Sequence, residues 1–205
     1  MAEIWIKFCG CTASRDVELA AQAGADAFGM IFAPSPRRIT WQGANDIARR
    51  MPPSIEPVAV FVNPAHGEVE KVRSLFPQAR LQFSGNESPE FVANYGERTI
   101  KAIGIDERAT EIPEEVGYFP YALLLFDSKR GVLAGGTGVG FAWELVVKIA
   151  KQRPIVVAGG LTPENVGACI ERVRPFGVDV RSGIETDGRK DLAKMRAFVR
   201  AVRAR

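Results

Sequence analysis

Short apolar runs recur along the chain, separated by longer stretches in which apolar residues return every three or four positions. The runs are Ile4–Phe8, Ala27–Phe32, Pro57–Val62, Leu81–Phe83, Thr99–Ile105, Ala122–Phe126, Ile155–Ala158 and Val178–Val180. Several are apolar almost throughout, as expected of parallel strands covered on both faces. The stretches between them predict helices over Ser14–Ala23, Trp41–Met51, Ala65–Phe76, Pro89–Tyr95, Phe141–Lys151, Pro163–Val173 and Lys190–Val202, because that spacing gathers apolar side chains on one helical face. Thr162-Pro163-Glu164-Asn165 predicts a helix start, with a hydroxyl at the cap and proline at the first helical position. Asp106–Val116 is a weaker helical stretch, broken by Pro113 and Gly117, and a loop suits it equally.

Eight strands alternating with about eight helices leave two arrangements, an open doubly wound sheet or a closed (β/α)8 TIM barrel. Periodicity alone does not choose between them. An open nucleotide-binding sheet usually carries a glycine-rich turn after its first strand, and here that turn is Cys9-Gly10-Cys11-Thr12. No linker or low-complexity segment divides the 205 residues, so residues 1–205 read as one domain.

Composition removes several function classes. The 27 Lys and Arg against 24 Asp and Glu leave a net charge of +3, scattered along the chain, which argues against nucleic-acid and membrane partners. Arg196, Arg200, Arg203 and Arg205 are spaced as a solvated helix face. Three cysteines, an odd number without zinc spacing, fit a reducing compartment better than a disulfide framework. No apolar run reaches the ~18 residues of a membrane span, so a cytoplasmic protein is expected.

In a barrel, catalytic groups collect where strands end. Cys9 ends the first run, Arg37 follows the second, Asn63 ends the third and Asp127 the sixth. Gly159-Gly160 and Ser182-Gly183 follow the seventh and eighth. Two glycine turns at consecutive strand ends let backbone N–H groups approach an anion, so they predict a phosphate site; tight left-handed turns are the alternative. The run Gly135–Gly140 follows a loop rather than a strand, which favours a ligand-covering loop over a nucleotide fingerprint. Cys9 and Asp127 make a candidate base and acid. Nearby cations such as Lys7 can lower a thiol's pKa, and desolvation can hold a carboxyl protonated. The plainer readings are a small apolar core residue for Cys9 and a turn residue for Asp127. Cys169 reads as core, and His66 as a residue at the start of a helix. Cys9-Gly-Cys11 is one residue short of a redox pair and lacks a second ligand pair for zinc.

Read together, these segments resemble the phosphoribosylanthranilate isomerases over nearly the whole chain. Lys7-Phe-Cys-Gly-Cys-Thr12, Gly24-Ala-Asp26 with Gly29–Phe32 and Ser35-Pro-Arg37, Val60–Asn63, Leu81–Glu87, Gly135–Gly138, Ala158–Val166 and Gly177–Glu185 follow in the family's order. The resemblance implies the (β/α)8 barrel and an Amadori rearrangement in tryptophan biosynthesis. Asp127 would protonate the ribose ring oxygen, and the Cys9 thiolate would remove the C2 proton. Arg37 would bind the anthranilate carboxylate, and Gly159, Gly160, Ser182 and Gly183 the phosphate. It further implies a small phosphosugar–anthranilate substrate, no metal or other cofactor, and a monomer or homodimer. Two positions depart from the family: Ser84 stands where a histidine is common, and Cys11 where isoleucine is. The nearest competing enzyme, a barrel isomerase of a histidine-pathway aminoaldose, resembles a two-carboxylate site with Asp at the end of strand one, where this chain has Cys9. A binding paralogue without turnover is the non-enzymatic alternative.

Overall fold

The structure, a computed structural model, describes residues 3–128 and 141–204. Eight parallel strands close into a barrel in chain order: Trp5–Cys9 (β1), Ala27–Ile31 (β2), Glu56–Phe61 (β3), Arg80–Phe83 (β4), Thr99–Ile105 (β5), Leu123–Ser128 (β6), Ile155–Val157 (β7) and Gly177–Val180 (β8). β8 pairs back onto β1, with Lys7 opposite Asp179. That closing ladder decides for the barrel over the open sheet. The helices are Ser14–Ala23 (α1), Trp41–Arg50 (α2), His66–Leu75 (α3), Pro89–Ala93 (α4), Glu144–Ala150 (α5), Val166–Val173 (α6) and Leu192–Arg203 (α7).

Strand alternation sorts side chains into two compartments. One face of the strands sends Cys9, Ala27, Ile31, Val58, Val60, Ile100, Leu125, Val156 and Ala158 into the barrel interior. The other meets the helices; Phe8 of β1, for example, packs edge-on against Phe198 of α7 at 6.0 Å between ring centroids. These buried apolar residues are small or branched because a narrow closed sheet holds little volume.

Several expected elements differ, and three bear on the site or its frame. Asp106–Val116 holds no α-helix; a 3₁₀ turn at Glu114–Tyr118 overlaps its end, starting directly after Pro113. The helix expected from Pro163 begins at Val166, because the Asn165 side chain folds back to the Thr162 N–H at 2.8 Å and the Gly160 carbonyl at 3.0 Å, closing a tight turn first. The final helix starts at Leu192, capped by the Asp191 carboxylate on the N–H groups of Ala193 and Lys194. Lys190 is therefore not helical. It lies in a short antiparallel hairpin, Glu185–Thr186 (β9) with Arg189–Lys190 (β10). Arg203 is not merely solvated: it pairs with Glu3 and Asp26, tying α7 to the foot of the barrel. Gly135–Gly140 and Arg205 lie outside the described residues. Among the described residues, no helix is long and apolar enough to cross a membrane.

Candidate active site

Cys9 is the last residue of β1 and points inward, as alternation requires of the residue two beyond Lys7. The two side chains lie next to each other because β2 offers only a glycine across from them. A β-carbon on Gly29 would sit 2.9 Å from Cys9 Sγ and 3.0 Å from Lys7 Cε. Lys7 is fully buried, and its ammonium donates to Asp179 Oδ2 at 2.9 Å. Burial alone would lower the Lys7 pKa, but Asp179 and Cys9 outweigh it and hold the ammonium above its usual range. For Cys9, burial raises the pKa and Lys7 opposes it. Burial wins, so the thiol sits above its ordinary value, and the lowering expected from nearby cations is only partial.

Asp127 lies near the end of β6, and it shares with Cys9 a cavity of about 320 Å³ at the C-terminal mouth of the barrel. Its side chain is exposed, so the desolvation expected at this carboxyl is not supplied by the described residues. Gly159 makes room for it. At φ +83°, a β-carbon there would come within 2.8 Å of Asp127 Oδ1 and 2.5 Å of Ser128 Oγ. Gly160 is also left-handed at φ +68°. Gly183 has a different reason to be glycine: a β-carbon would sit 2.0 Å from the Leu161 carbonyl, so it keeps the turns after β7 and β8 in contact. The N–H groups of Gly159, Gly160 and Gly183 have no intramolecular acceptor among the described residues. Gly159, Gly160 and Ser182 line the cavity, which leaves these turns suited to an anion.

Arg37 is the expected site residue that is placed differently. It does not line the cavity. Its guanidinium grips Glu185 along one edge, Nη2 to Oε2 at 2.9 Å and Nε to Oε1 at 3.3 Å. Asn63 does not line the cavity either. In a left-handed conformation at φ +48°, it donates its N–H to Glu87 and accepts from Asn86, while Glu87 pairs with buried Lys101 at 2.8 Å. Ser84 lines the cavity, and the Gln82 amide donates to its hydroxyl at 3.1 Å.

Four residues were not singled out from the sequence. Asp179 lines the cavity with a buried Oδ1 that lacks a partner among the described residues. Arg181 lines it as well. Lys190, its side chain 2% exposed, donates to the Cys9 carbonyl and to Glu185 Oε1. Burial raises the Glu185 pKa, but Arg37 and Lys190 outweigh it and keep the carboxylate below its usual range. Inward alternation continued past the end of β8 is the signal that could single out Asp179 and Arg181; nothing local singles out Lys190. A wider crevice of about 640 Å³ lies between the β2–α2 and β3–α3 connections, but its walls, including Phe32, Trp41 and Phe61, hold none of the candidate catalytic groups.

Comparison with known proteins agrees with this fold. The sequence profile of the family described as N-(5'phosphoribosyl)anthranilate (PRA) isomerase matches residues 6–201. An N-(5'-phosphoribosyl)anthranilate isomerase of Desulforudis audaxviator is 41% identical over 198 residues, covering 97% of each chain. One from Pseudomonas aeruginosa is 40% identical over 207 residues, covering 100% of this chain and 98% of its own. Among solved structures, phosphoribosyl anthranilate isomerase from Thermotoga maritima superposes with a TM-score of 0.87 at 35% identity, covering 98% of this chain and 100% of that one. Another phosphoribosyl anthranilate isomerase, solved with reduced 1-(o-carboxyphenylamino)-1-deoxyribulose 5-phosphate, superposes at 0.84 with 33% identity, covering 98% and 100%. On fold and on sequence over nearly its whole length, this chain belongs to the N-(5'-phosphoribosyl)anthranilate isomerase family.

Proposed function

We propose that this chain, working as one catalytic unit in the cytoplasm, converts N-(5-phosphoribosyl)anthranilate to 1-(2-carboxyphenylamino)-1-deoxyribulose 5-phosphate in tryptophan biosynthesis. The observation that carries the reading is one cavity bearing a thiol and a carboxyl, Cys9 and Asp127, beside two glycine turns whose N–H groups have no acceptor among the described residues. Family membership supports the same reaction.

Asp127 gives a proton to the ribose ring oxygen, and the C1–O bond breaks to leave a protonated Schiff base. The Cys9 thiolate takes the C2 proton, and the electron pair moves to form an enolamine. Tautomerisation then returns a proton to C1 and leaves a ketone at C2. C2 is oxidised as C1 is reduced, so the step is redox-balanced within the substrate. Lys7 supplies positive charge next to the thiolate, and the Asp179 oxygen without a partner among the described residues is an acceptor for a sugar hydroxyl. Gly159, Gly160, Ser182 and Gly183 hold the phosphate. Arg37 binds the anthranilate carboxylate through the guanidinium edge that Glu185 leaves open.

Turnover of N-(5-phosphoribosyl)anthranilate tests this directly. The wild type should consume it without added nicotinamide, while Cys9→Ala and Asp127→Ala each lose about 10²–10⁴-fold in kcat and keep their affinity for inorganic phosphate. Undiminished turnover in either variant would remove that residue from its role. A wild type that binds but does not turn over would select the binding paralogue.

A further inference from the structure

We propose that Arg181 is a second carboxylate-binding residue, receiving the anthranilate carboxylate across the end of β1. The proposal rests on the isomerase reading above and assigns a group which that reading left unused.

The cavity poses a charge problem. Its walls carry two carboxyl side chains, Asp127 and Asp179, yet the proposed substrate has anions at both ends. Backbone N–H groups at the turns after β7 and β8 can serve the phosphate. The carboxylate needs a cation, and Arg181 is the one Lys or Arg side chain among the described residues lining the cavity. Arg37, by contrast, is already neutralised by Glu185 along its Nε–Nη2 edge.

The course of the Arg181 side chain decides which anion it meets. Its Cγ and Cδ both lie 3.4 Å from where a β-carbon on Gly10 would be, and Arg37 Cβ lies 3.4 Å from the same point. The stem therefore leaves β8 across the end of β1, toward the β2 side where Arg37 is rooted. It runs away from the β7 turn that holds Gly159 and Gly160. Gly10, at φ +79°, leaves the floor under both arginine stems open. The Arg181 guanidinium has no ion pair or side-chain hydrogen bond among the described residues, so its whole donor fork is available.

The test uses two substrates on the intact protein: N-(5-phosphoribosyl)anthranilate and the carboxylate-free N-(5-phosphoribosyl)aniline. Arg181→Gln should raise KM for the anthranilate compound about 10- to 100-fold, the loss of one charge-assisted contact. Its kcat, and its KM for the aniline compound, should stay within about threefold of wild type by the same argument, because neither depends on a carboxylate contact. Arg181→Lys should recover part of the lost affinity, since it keeps the charge without the fork. An equal loss on both substrates would place Arg181 on the phosphate or in the scaffold and overturn the proposal, as would an unchanged KM. A wild type inactive on both compounds would defeat the isomerase reading itself, whereas an active wild type with an indifferent Arg181 defeats this proposal alone.

Discussion

Lys7 and Asp179 form a buried ion pair 2.9 Å long, across the ladder that closes the barrel and one layer below Cys9. The pair connects the scaffold to the chemistry. The residue that neutralises Asp179 also places its charge beside the thiol. Lys7→Met should therefore raise the Cys9 pKa further, because the effect opposing burial is gone. The acidic limb of the kcat/KM profile should move to higher pH, and activity at neutral pH should fall at least about tenfold, as expected on removing an opposite charge in close range. Alkylation of Cys9 by iodoacetamide should shift its pH dependence the same way. An unmoved limb would mean that Lys7 serves the fold only.

The same substitution carries a structural cost. Removing one partner of a buried pair leaves the other charged in a poor solvent, a loss of about 3–5 kcal/mol. Lys7→Met should lower the unfolding free energy measured in urea by that amount. Adding Asp179→Asn should restore part of it, since the orphaned charge is then removed as well. A double variant less stable than Lys7→Met would show that Asp179 is held by contacts other than Lys7.

The parts of this molecule legible in its sequence are those set by local periodicity. Ser14–Ala23 and Thr99–Ile105 occupy their expected bounds because apolar spacing alone defines them. Lys7 shares a face with Cys9 because the strand does continue that far. Contacts between distant segments were not legible. Arg37 and Glu185 are 148 residues apart, and no spacing rule shows that the expected carboxylate receptor already has a partner. Lys190 was placed in the last helix because apolar periodicity follows it closely; the Asp191 cap was the signal that the helix starts later. The exposure of Asp127 is set by the neighbouring strand ends that form the cavity mouth, which one strand's composition does not encode.

Gly159 and Gly183 should tolerate alanine differently. Gly159→Ala adds backbone strain at φ +83° and drives a β-carbon toward the Asp127 carboxyl. It should cost about 1–3 kcal/mol in stability and lower kcat, because the proposed acid is displaced. Gly183→Ala strikes the Leu161 backbone carbonyl instead, so the two turns proposed to hold the phosphate must separate. Its main effect should be weaker binding of inorganic phosphate, measured by competition with substrate, with a smaller change in kcat. Equal effects of the two variants on both quantities would contradict the division of labour drawn here.

Alkaline pH should expose the buried thiols. Cys11 and Cys169 are fully buried, and burial pushes each from 9.0 up to about 12. In the unfolded chain both lose their protons above about 9, whereas in the folded chain they keep them. The unfolded state thus binds fewer protons through that window, and stability must fall as pH rises from about 9 toward 12. Lys7 adds to the same decline at its upper end, because its pKa is raised in the folded state. The Cys11→Ala/Cys169→Ala variant keeps Lys7 and loses the thiols, so its urea midpoint should drop less between pH 8 and pH 10.5 than that of the wild type. Parallel decline in the two proteins would assign the whole effect to other groups. In the native state at neutral pH, the same burial should leave Cys11 and Cys169 unreactive to thiol reagents, with Cys9, at 8% exposure on the cavity wall, the first of the three to be modified.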